Sequence, residues 1–374
     1  MPIMGLGSWG LRDSRSIAST PVVCVVLYIR DLAVTNPESP LPGRQDLLRR
    51  NREMRVVDAA ETERALPFAR LIPALREMFV SGCVAPPRHH HRIELDPEPN
   101  ATLLLMPAWK SHDALGVKIA NVFPGNSKRG CRVSTRSIAC SMPSKGRRWR
   151  RSTEMSLPRG EPPPCRRWPR HALARSDADR LLVVGAGRIA NLLPEAYREI
   201  RAIRGVTVWN RAPAAAQALV ERLRTLDFST PRSHWDLEGA VRAADIVSCA
   251  TLATRPLILG DWLHPGIHLD LIGSFTPEMR ETDDTAIRRA SVFVDTETAL
   301  AESGDLLQPL QSGAFVVGRL AGTLSDLCAG RHPGRRDAQE LTLFKTVGTA
   351  MSDLAAAMVA RTELGLMSSA HPDQ

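Results

Sequence analysis

The sequence predicts an α/β fold built on a parallel sheet, and two observations predict it. Short apolar runs at 181–184, 206–209, 246–250, 267–272 and 291–295 alternate with stretches of helical periodicity, the pattern of strands buried on both faces and joined by crossover helices. The first run, Leu181-Leu-Val-Val184, leads into Gly185-Ala-Gly187-Arg-Ile-Ala190, a glycine turn that opens a helical stretch. Such a glycine pattern is weak alone. Directly after a buried-type strand and before a helix it has the context of a Rossmann-type dinucleotide turn.

Taken in order, residues 1–53 mix Gly, Ser, Pro and Arg without helical or strand periodicity. They are expected to be a disordered extension, or to lie upstream of a true start at Met54. Asp58 suits an N-cap, and Phe68, Leu71, Leu75 and Phe79 recur at helical spacing. Pro67 and Pro73 are expected to break or kink that helix. Thr102–Trp109 and Ala114–Val122 read as short strands around a polar turn. Segment 131–170, with six Pro and three of the seven Cys, shows no periodicity.

The composition, 43% hydrophobic and 24% charged over 374 residues, is that of a soluble globular chain with room for two domains. No apolar run approaches bilayer length, and Val22–Ile29 is too short for a span or a signal core. Seven cysteines without a Cys-x-x-Cys pair form neither a disulfide framework nor a zinc site. A reduced, cytoplasmic protein is expected. The net charge of +9 sits wholly in 131–170, and the remainder has 38 basic and 38 acidic residues. Neither nucleic acid nor a membrane is therefore an expected partner.

At the nucleotide turn, Gly185 permits the tight bend and Gly187 lets the backbone approach a pyrophosphate. Ala186, Arg188 and Ile189 complete the wall, and the helix N-terminus supplies N–H groups and positive dipole. The second strand ends in Asn210-Arg211, where an NAD site places a carboxylate on the ribose 2′-hydroxyl. Arg211 suits a 2′-phosphate instead, so NADP(H) is favoured, with NAD(H) as the alternative. Ala250, Thr251 and Leu252 end and follow the run at 246–250, at the carboxyl edge where cofactor and substrate meet.

Val208-Trp-Asn-Arg211, Ala244-Asp-Ile-Val-Ser-Cys-Ala-Thr251, His268-Leu-Asp-Leu-Ile-Gly273-Ser-Phe-Thr-Pro-Glu-Met-Arg280, Glu302-Ser-Gly-Asp305 and Phe344-Lys-Thr-Val-Gly348 resemble the ornithine cyclodeaminase/mu-crystallin family. The resemblance covers roughly 54–130 and 172–366. It implies a Rossmann domain (177–299) inserted into an α+β substrate-binding and dimerisation domain (54–176 plus 300–366), with a tail from 367 to 374. It also implies a homodimer, a nicotinamide cofactor and small amino-acid or cyclic-imine substrates. Gly273 and Ser274 then join the cofactor-binding residues.

By the same resemblance, Arg88 binds the substrate carboxylate, a task a guanidinium fork suits. Lys118 is the active-site lysine, and a charge within an apolar strand requires a partner. His89, His90 and His91, adjacent on an extended segment, point to alternating faces, so no metal is expected. Cyclodeaminases carry an aspartate shortly after the fifth-strand glycine, where this chain has Ser274 and Phe275. The form instead resembles bacterial reductases of Δ1-pyrroline-2-carboxylate and related cyclic ketimines. Ornithine cyclodeaminase and a non-catalytic, NADPH-binding crystallin-like protein are the competing readings.

Segment 131–170 departs from the family, which has there an Ile-Asp-Gly-Asp-like turn and a helix containing Thr-Ala-Arg-Arg-Thr-Ala-Ala. Codon degeneracy allows Cys165-Arg-Arg-Trp-Pro-Arg170, read one base earlier, to give Ser-Ala-Leu-Ala-Ala. Ser152–Ser156 can likewise give Asp-Gly-Asp-Glu, and Leu157–Pro162 can give Thr-Ala-Arg-Arg-Thr-Ala. Compensating frameshifts near Gly130 and Arg170 are therefore expected, and with them an impaired or misfolded substrate domain.

Overall fold

Apolar residues alternate along the N-terminal strands and run continuously in the later ones, and the molecule sorts them into two sheets. The computed structural model describes residues 24–29, 55–111, 113–129, 134–141 and 173–365. The first sheet contains β1 (Cys24–Ile29), β2 (Arg55–Val57), β3 (His89–Leu95), β4 (Glu98–Lys110), β5 (Ala114–Val122) and β6 (Ser134–Ser141). Its order is β2-β1-β6-β5-β4-β3, with only β1 and β6 parallel.

Helix α1 (Ala59–Ala65) starts as expected at Asp58, whose Oδ1 accepts from the Glu61 N–H at 2.8 Å while Glu61 caps back. Pro67 separates α1 from α2 (Phe68–Ser81), whereas Pro73 stays inside α2. Along β4, buried Leu104, Met106 and Ala108 recur at every second residue. Met106 and Ile138 both pair with Lys118. Directly opposed residues share a sheet face, so Lys118 points to the side on which the core forms.

The second sheet is parallel throughout: β7 (Arg180–Val184), β8 (Gly205–Trp209), β9 (Arg232–Ser233), β10 (Ile246–Cys249), β11 (His268–Leu271), β12 (Ser291–Val294), β13 (Leu320–Thr323) and β14 (Thr342–Lys345). All five strands expected from sequence are present. Helices α3 (Arg188–Ile200), α4 (Pro213–Thr225), α5 (Leu237–Arg242), α6 (Asp284–Arg289), α7 (Ala299–Glu302), α8 (Gly304–Ser312) and α9 (Leu324–Cys328) connect them. The order β13-β12-β14-β11-β10-β7-β8-β9 reverses direction between β7 and β10. At such a switch point a crevice opens outside the carboxyl ends of the strands. Helix α10 (Ala350–Glu363) then returns to the first sheet, where Leu354, Ala355 and Ala357 pack with Met106, Ala108, Ile138 and Cys140.

Three features depart from the sequence expectations. The inserted domain does not close at 299: β14 lies between β11 and β12, and β13 extends the edge. The chain returns to the first domain only after Lys345, because the fully buried Thr342–Lys345 run finds its partners in the parallel sheet. Secondly, residues 24–29 form β1 between β2 and β6. The apolar run Cys24-Val-Val-Leu-Tyr-Ile29, too short to span a membrane, is rich in strand-forming residues. Thirdly, β6 lies inside segment 131–170 and pairs with β5 over its full length. Its alternation rests on Ile138 and Cys140, a weak signal among serines. Both are buried with Met106, Ala108 and Leu354 in the core of the first sheet. The remaining expectations for 1–53, for the rest of 131–170 and for the tail from 367 fall outside the described residues. Among those described, no helix is long and apolar enough to cross a membrane.

Candidate active site

The nucleotide turn is wedged between neighbouring strands. The Gly185 N–H donates to the Trp209 carbonyl at 2.8 Å, and a Cβ at Gly185 (φ 115°) would lie 2.7 Å from the Ala250 carbonyl oxygen. Only glycine meets both conditions. Gly187 is the N-cap of α3 and offers no capping side chain. A Cβ there would meet nothing within 4 Å, and Gly187, Arg188 and Ile189 at the uncapped helix start all line a cavity. The Asn191 side chain donates to the carbonyls of Ala186 and Gly187 at 3.1 and 2.9 Å and holds the turn. This geometry fits a dinucleotide pyrophosphate.

A cavity of about 330 Å3 lies in the seam between the domains. The parallel-sheet side contributes Gly187, Arg188, Ile189, Ala250, Thr251, Leu252, Ile272, Gly273 and Phe275. The opposite wall carries Arg88, Leu104, Met106, Lys118, Ala120 and Val122, and Thr346-Val-Gly348 closes one side. Most residues expected from sequence to bind cofactor or substrate thus meet around one volume.

Five expected residues do not line it: Gly185 and Ala186 form the turn itself, and Asn210, Arg211 and Ser274 stand apart. Asn210 and Arg211 lie beyond the end of β8, and the Asn210 side chain donates to the Ala212 carbonyl at 3.1 Å. Arg211 is exposed and has no carboxylate partner among the described residues. Ser274 does not line the cavity: it is fully buried, donates to the Met279 carbonyl at 2.6 Å and shares a hydrogen bond with Ser303 at 2.8 Å. Side chains adjacent on an extended segment point opposite ways, so the wall position falls to Phe275 and Ser274 turns into the core.

Two basic residues of the cavity, Arg88 and Lys118, are held by carboxylates. Arg88 Nε lies 3.0 Å from Glu302 Oε1, and Nη2 donates to the Gly348 carbonyl at 2.6 Å. Burial pushes the Glu302 carboxyl above its ordinary range, against the pull of Arg88 and His90. Lys118 Nζ lies 2.8 Å from Asp353 Oδ2 on α10. Among the histidines, His90 alone approaches Glu302, at 3.8 Å.

Sequence reasoning missed the residues that set the loops. Asp295 Oδ2 accepts from Thr346 Oγ1 and from the N–H groups of Val347 and Gly348 at 2.6, 3.0 and 2.8 Å. Glu281 does the same for Thr251 and Gly273. The only signal was acidic residues standing beside apolar strands.

Residues 169–365 match the family described as the ornithine cyclodeaminase/mu-crystallin family. An uncharacterized protein of Schizosaccharomyces pombe is 38% identical over 309 residues, covering 79% of this chain and 93% of that protein. The Delta(1)-pyrroline-2-carboxylate reductase of Paracoccus denitrificans is 37% identical over 270 residues, covering 71% of this chain and 85% of the relative. Among solved structures, Thermococcus litoralis Delta(1)-pyrroline-2-carboxylate reductase in complex with NADH and L-proline superposes with a TM-score of 0.70 at 24% identity. That match covers 82% of this chain and 96% of the other, and at this identity it speaks for the fold.

Proposed function

Because the chain belongs to the ornithine cyclodeaminase/mu-crystallin family, we propose that it reduces a cyclic imino acid such as Δ1-pyrroline-2-carboxylate, to L-proline in that case, with NAD(P)H. The observation that carries this reading is the single cavity onto which the uncapped α3 N-terminus, Arg88 and Lys118 all open. A dihydronicotinamide supplies hydride for the imine carbon when bound. An arginine has five N–H donors. Those of Arg88 not spent on Glu302 and the loop carbonyls remain for a substrate carboxylate. Lys118, held by Asp353, keeps further N–H donors for the carboxylate or the imine nitrogen. Leu104, Met106, Ala120, Val122 and Phe275 supply an apolar wall that suits a small ring and limits water.

Arg211 favours NADP(H), since no carboxylate occupies the end of β8 to repel a 2′-phosphate. Phe275 on the cavity wall argues against a cyclodeaminase, whose ammonia-losing cycle needs a carboxylate shortly after Gly273. A homodimer and compensating frameshifts around 131–170 belong to the same proposal. The test is NADPH oxidation with Δ1-pyrroline-2-carboxylate, run beside ammonia release from ornithine. Turnover of the imine supports the reading. Ammonia release identifies a cyclodeaminase, and NADPH binding without turnover identifies a crystallin-like binding protein.

A further inference from the structure

We propose that Glu281 is a positioning residue for the dinucleotide, its buried carboxylate bracing the two cofactor-side loops against each other while Lys345 and Asp305 hold it in place. This role rests on the nucleotide-site reading above. Glu281 is fully buried. Its Oε1 accepts from both the N–H and the Oγ1 of Thr251 at 2.8 Å, and its Oε2 accepts from the Gly273 N–H at 2.7 Å. Thr251 follows β10, Gly273 follows β11, and both line the cavity. One carboxylate therefore fixes the two loops that leave the carboxyl edge beside the switch point.

The loops are in direct contact. A Cβ at Gly273 would overlap both the Thr251 carbonyl oxygen and Glu281 Oε1. No side chain fits there, and beyond the last ladder bond, Ile272 N–H to the Cys249 carbonyl at 2.8 Å, the carboxylate is what links the two backbones. Lys345 Nζ, also fully buried, lies 3.2 Å from Asp305 Oδ2 and 4.0 Å from Glu281 Oε2. Asp305 Oδ1 in turn accepts from the N–H groups of Glu281 and Thr282 at 2.7 and 3.1 Å. The bracing carboxylate is thus held at its own backbone as well.

Stability alone is a poor reason for this cluster. It buries two carboxylates against one ammonium, and replacing buried ionic groups by apolar ones of similar volume is often neutral or stabilising. A carboxylate that accepts from two loops at once does what no apolar residue can. It fixes their relative position at the wall the cofactor must meet.

The test uses the full chain, with NADPH and NADH each titrated by cofactor fluorescence against wild type and Glu281→Gln. Glutamine keeps one accepting oxygen and replaces the other with a donating NH2, so it cannot accept from both loops as the carboxylate does. The expected result is a rise of about tenfold in Kd for both dinucleotides, a parallel rise in cofactor KM and little change in imine KM. A merely structural residue would lower the melting temperature and leave the Kd of the folded fraction unchanged. Should Glu281→Gln fail to fold, two measurements still decide. In the wild type, the Thr251 and Gly273 amides are expected to resist hydrogen exchange without cofactor. In Glu281→Asp, which keeps the charge but shortens the reach, one of the two is expected to lose that protection. Free exchange of both amides in the wild type, or Glu281→Gln binding as tightly as wild type, would overturn the role. Wild type binding neither dinucleotide would overturn the nucleotide-site reading, while the exchange measurement would still judge the brace.

Discussion

Lys118 Nζ and Asp353 Oδ2 lie 2.8 Å apart although 235 positions separate them in sequence. The pair joins the middle of β5 to the returning helix α10, and it explains how a lysine is tolerated beside Met106 and Ile138. Each partner is partly buried, with 16% and 25% of its side chain exposed, so the contact is only partly screened by water. Asp353 therefore aims Lys118 at the cavity. Asp353→Asn is expected to lower kcat/KM for the imine about tenfold, the loss of one hydrogen bond to a charged group, with NADPH affinity unchanged. Lys118→Met is expected to cost more. The double variant should be no worse than Lys118→Met, because the aspartate acts through the lysine. Additive losses in steady-state kinetics would show that Asp353 has a separate task.

Cofactor choice gives an independent prediction. Arg211 is exposed and unpaired with any carboxylate among the described residues, so removing it should disturb neither packing nor stability. Arg211→Glu is expected to weaken NADPH binding by about tenfold or more, one charge-assisted contact exchanged for a repulsion. NADH binding should stay the same or improve. Equal affinity of wild type and variant for NADPH in a binding titration would remove Arg211 from the site.

Local grammar made much of this legible. The capping box at Asp58, the glycine turn and the continuous apolar strands each write their structure into neighbouring residues. Arg88 and Lys118 could be named from resemblance, but Glu302 and Asp353 could not be assigned as their partners, because long-range pairing leaves no trace in spacing. The end of the parallel sheet was hidden for a related reason. Thr342–Lys345 reads like any short buried run, and only its insertion between β11 and β12 shows which sheet it joins. Ser274 misled because it is polar and follows a cavity glycine, yet its hydroxyl is spent on the Met279 carbonyl and Ser303.

Acid stability should depend on Asp245, which stands 3% exposed just before β10. Its Oδ1 accepts from Arg175 and Arg180 at 2.9 Å each, and its Oδ2 from the Arg180 and Asp179 N–H groups at 3.1 and 3.3 Å. Burial pushes this carboxyl up, but the Arg180 contacts and the two N–H groups outweigh it and hold it well below the ordinary range. A depressed carboxylate contributes stability that is present above its unfolded value and lost as pH falls toward the folded one. At neutral pH, Asp245→Asn is expected to cost about 1–3 kcal/mol, read as a drop of a few degrees in Tm. Below about pH 4, near the ordinary aspartate value, the gap between variant and wild type should narrow. A gap that stays constant into acid would mean that the carboxylate contributes through shape alone.

The reading frame around 131–170 yields the last prediction. This stretch holds the chain's entire net charge of +9, which is what displaced codons of GC-rich DNA produce. Sequencing the gene across the codons for 125–175 is expected to show a base gained and a base lost near its two ends, relative to a frame encoding Thr-Ala-Arg-Arg-Thr. A protein with that frame restored gains the Arg-Arg pair of that helix, which is expected to offer the substrate carboxylate a second guanidinium. Its kcat/KM for the imine should exceed that of the present chain by about tenfold or more, as one charge-assisted contact would supply. NADPH affinity should change less, because Gly185, Gly187 and Arg211 lie outside the altered codons. If the restored chain turns over the imine no faster than the present one, Arg88 with Lys118 suffices for the substrate.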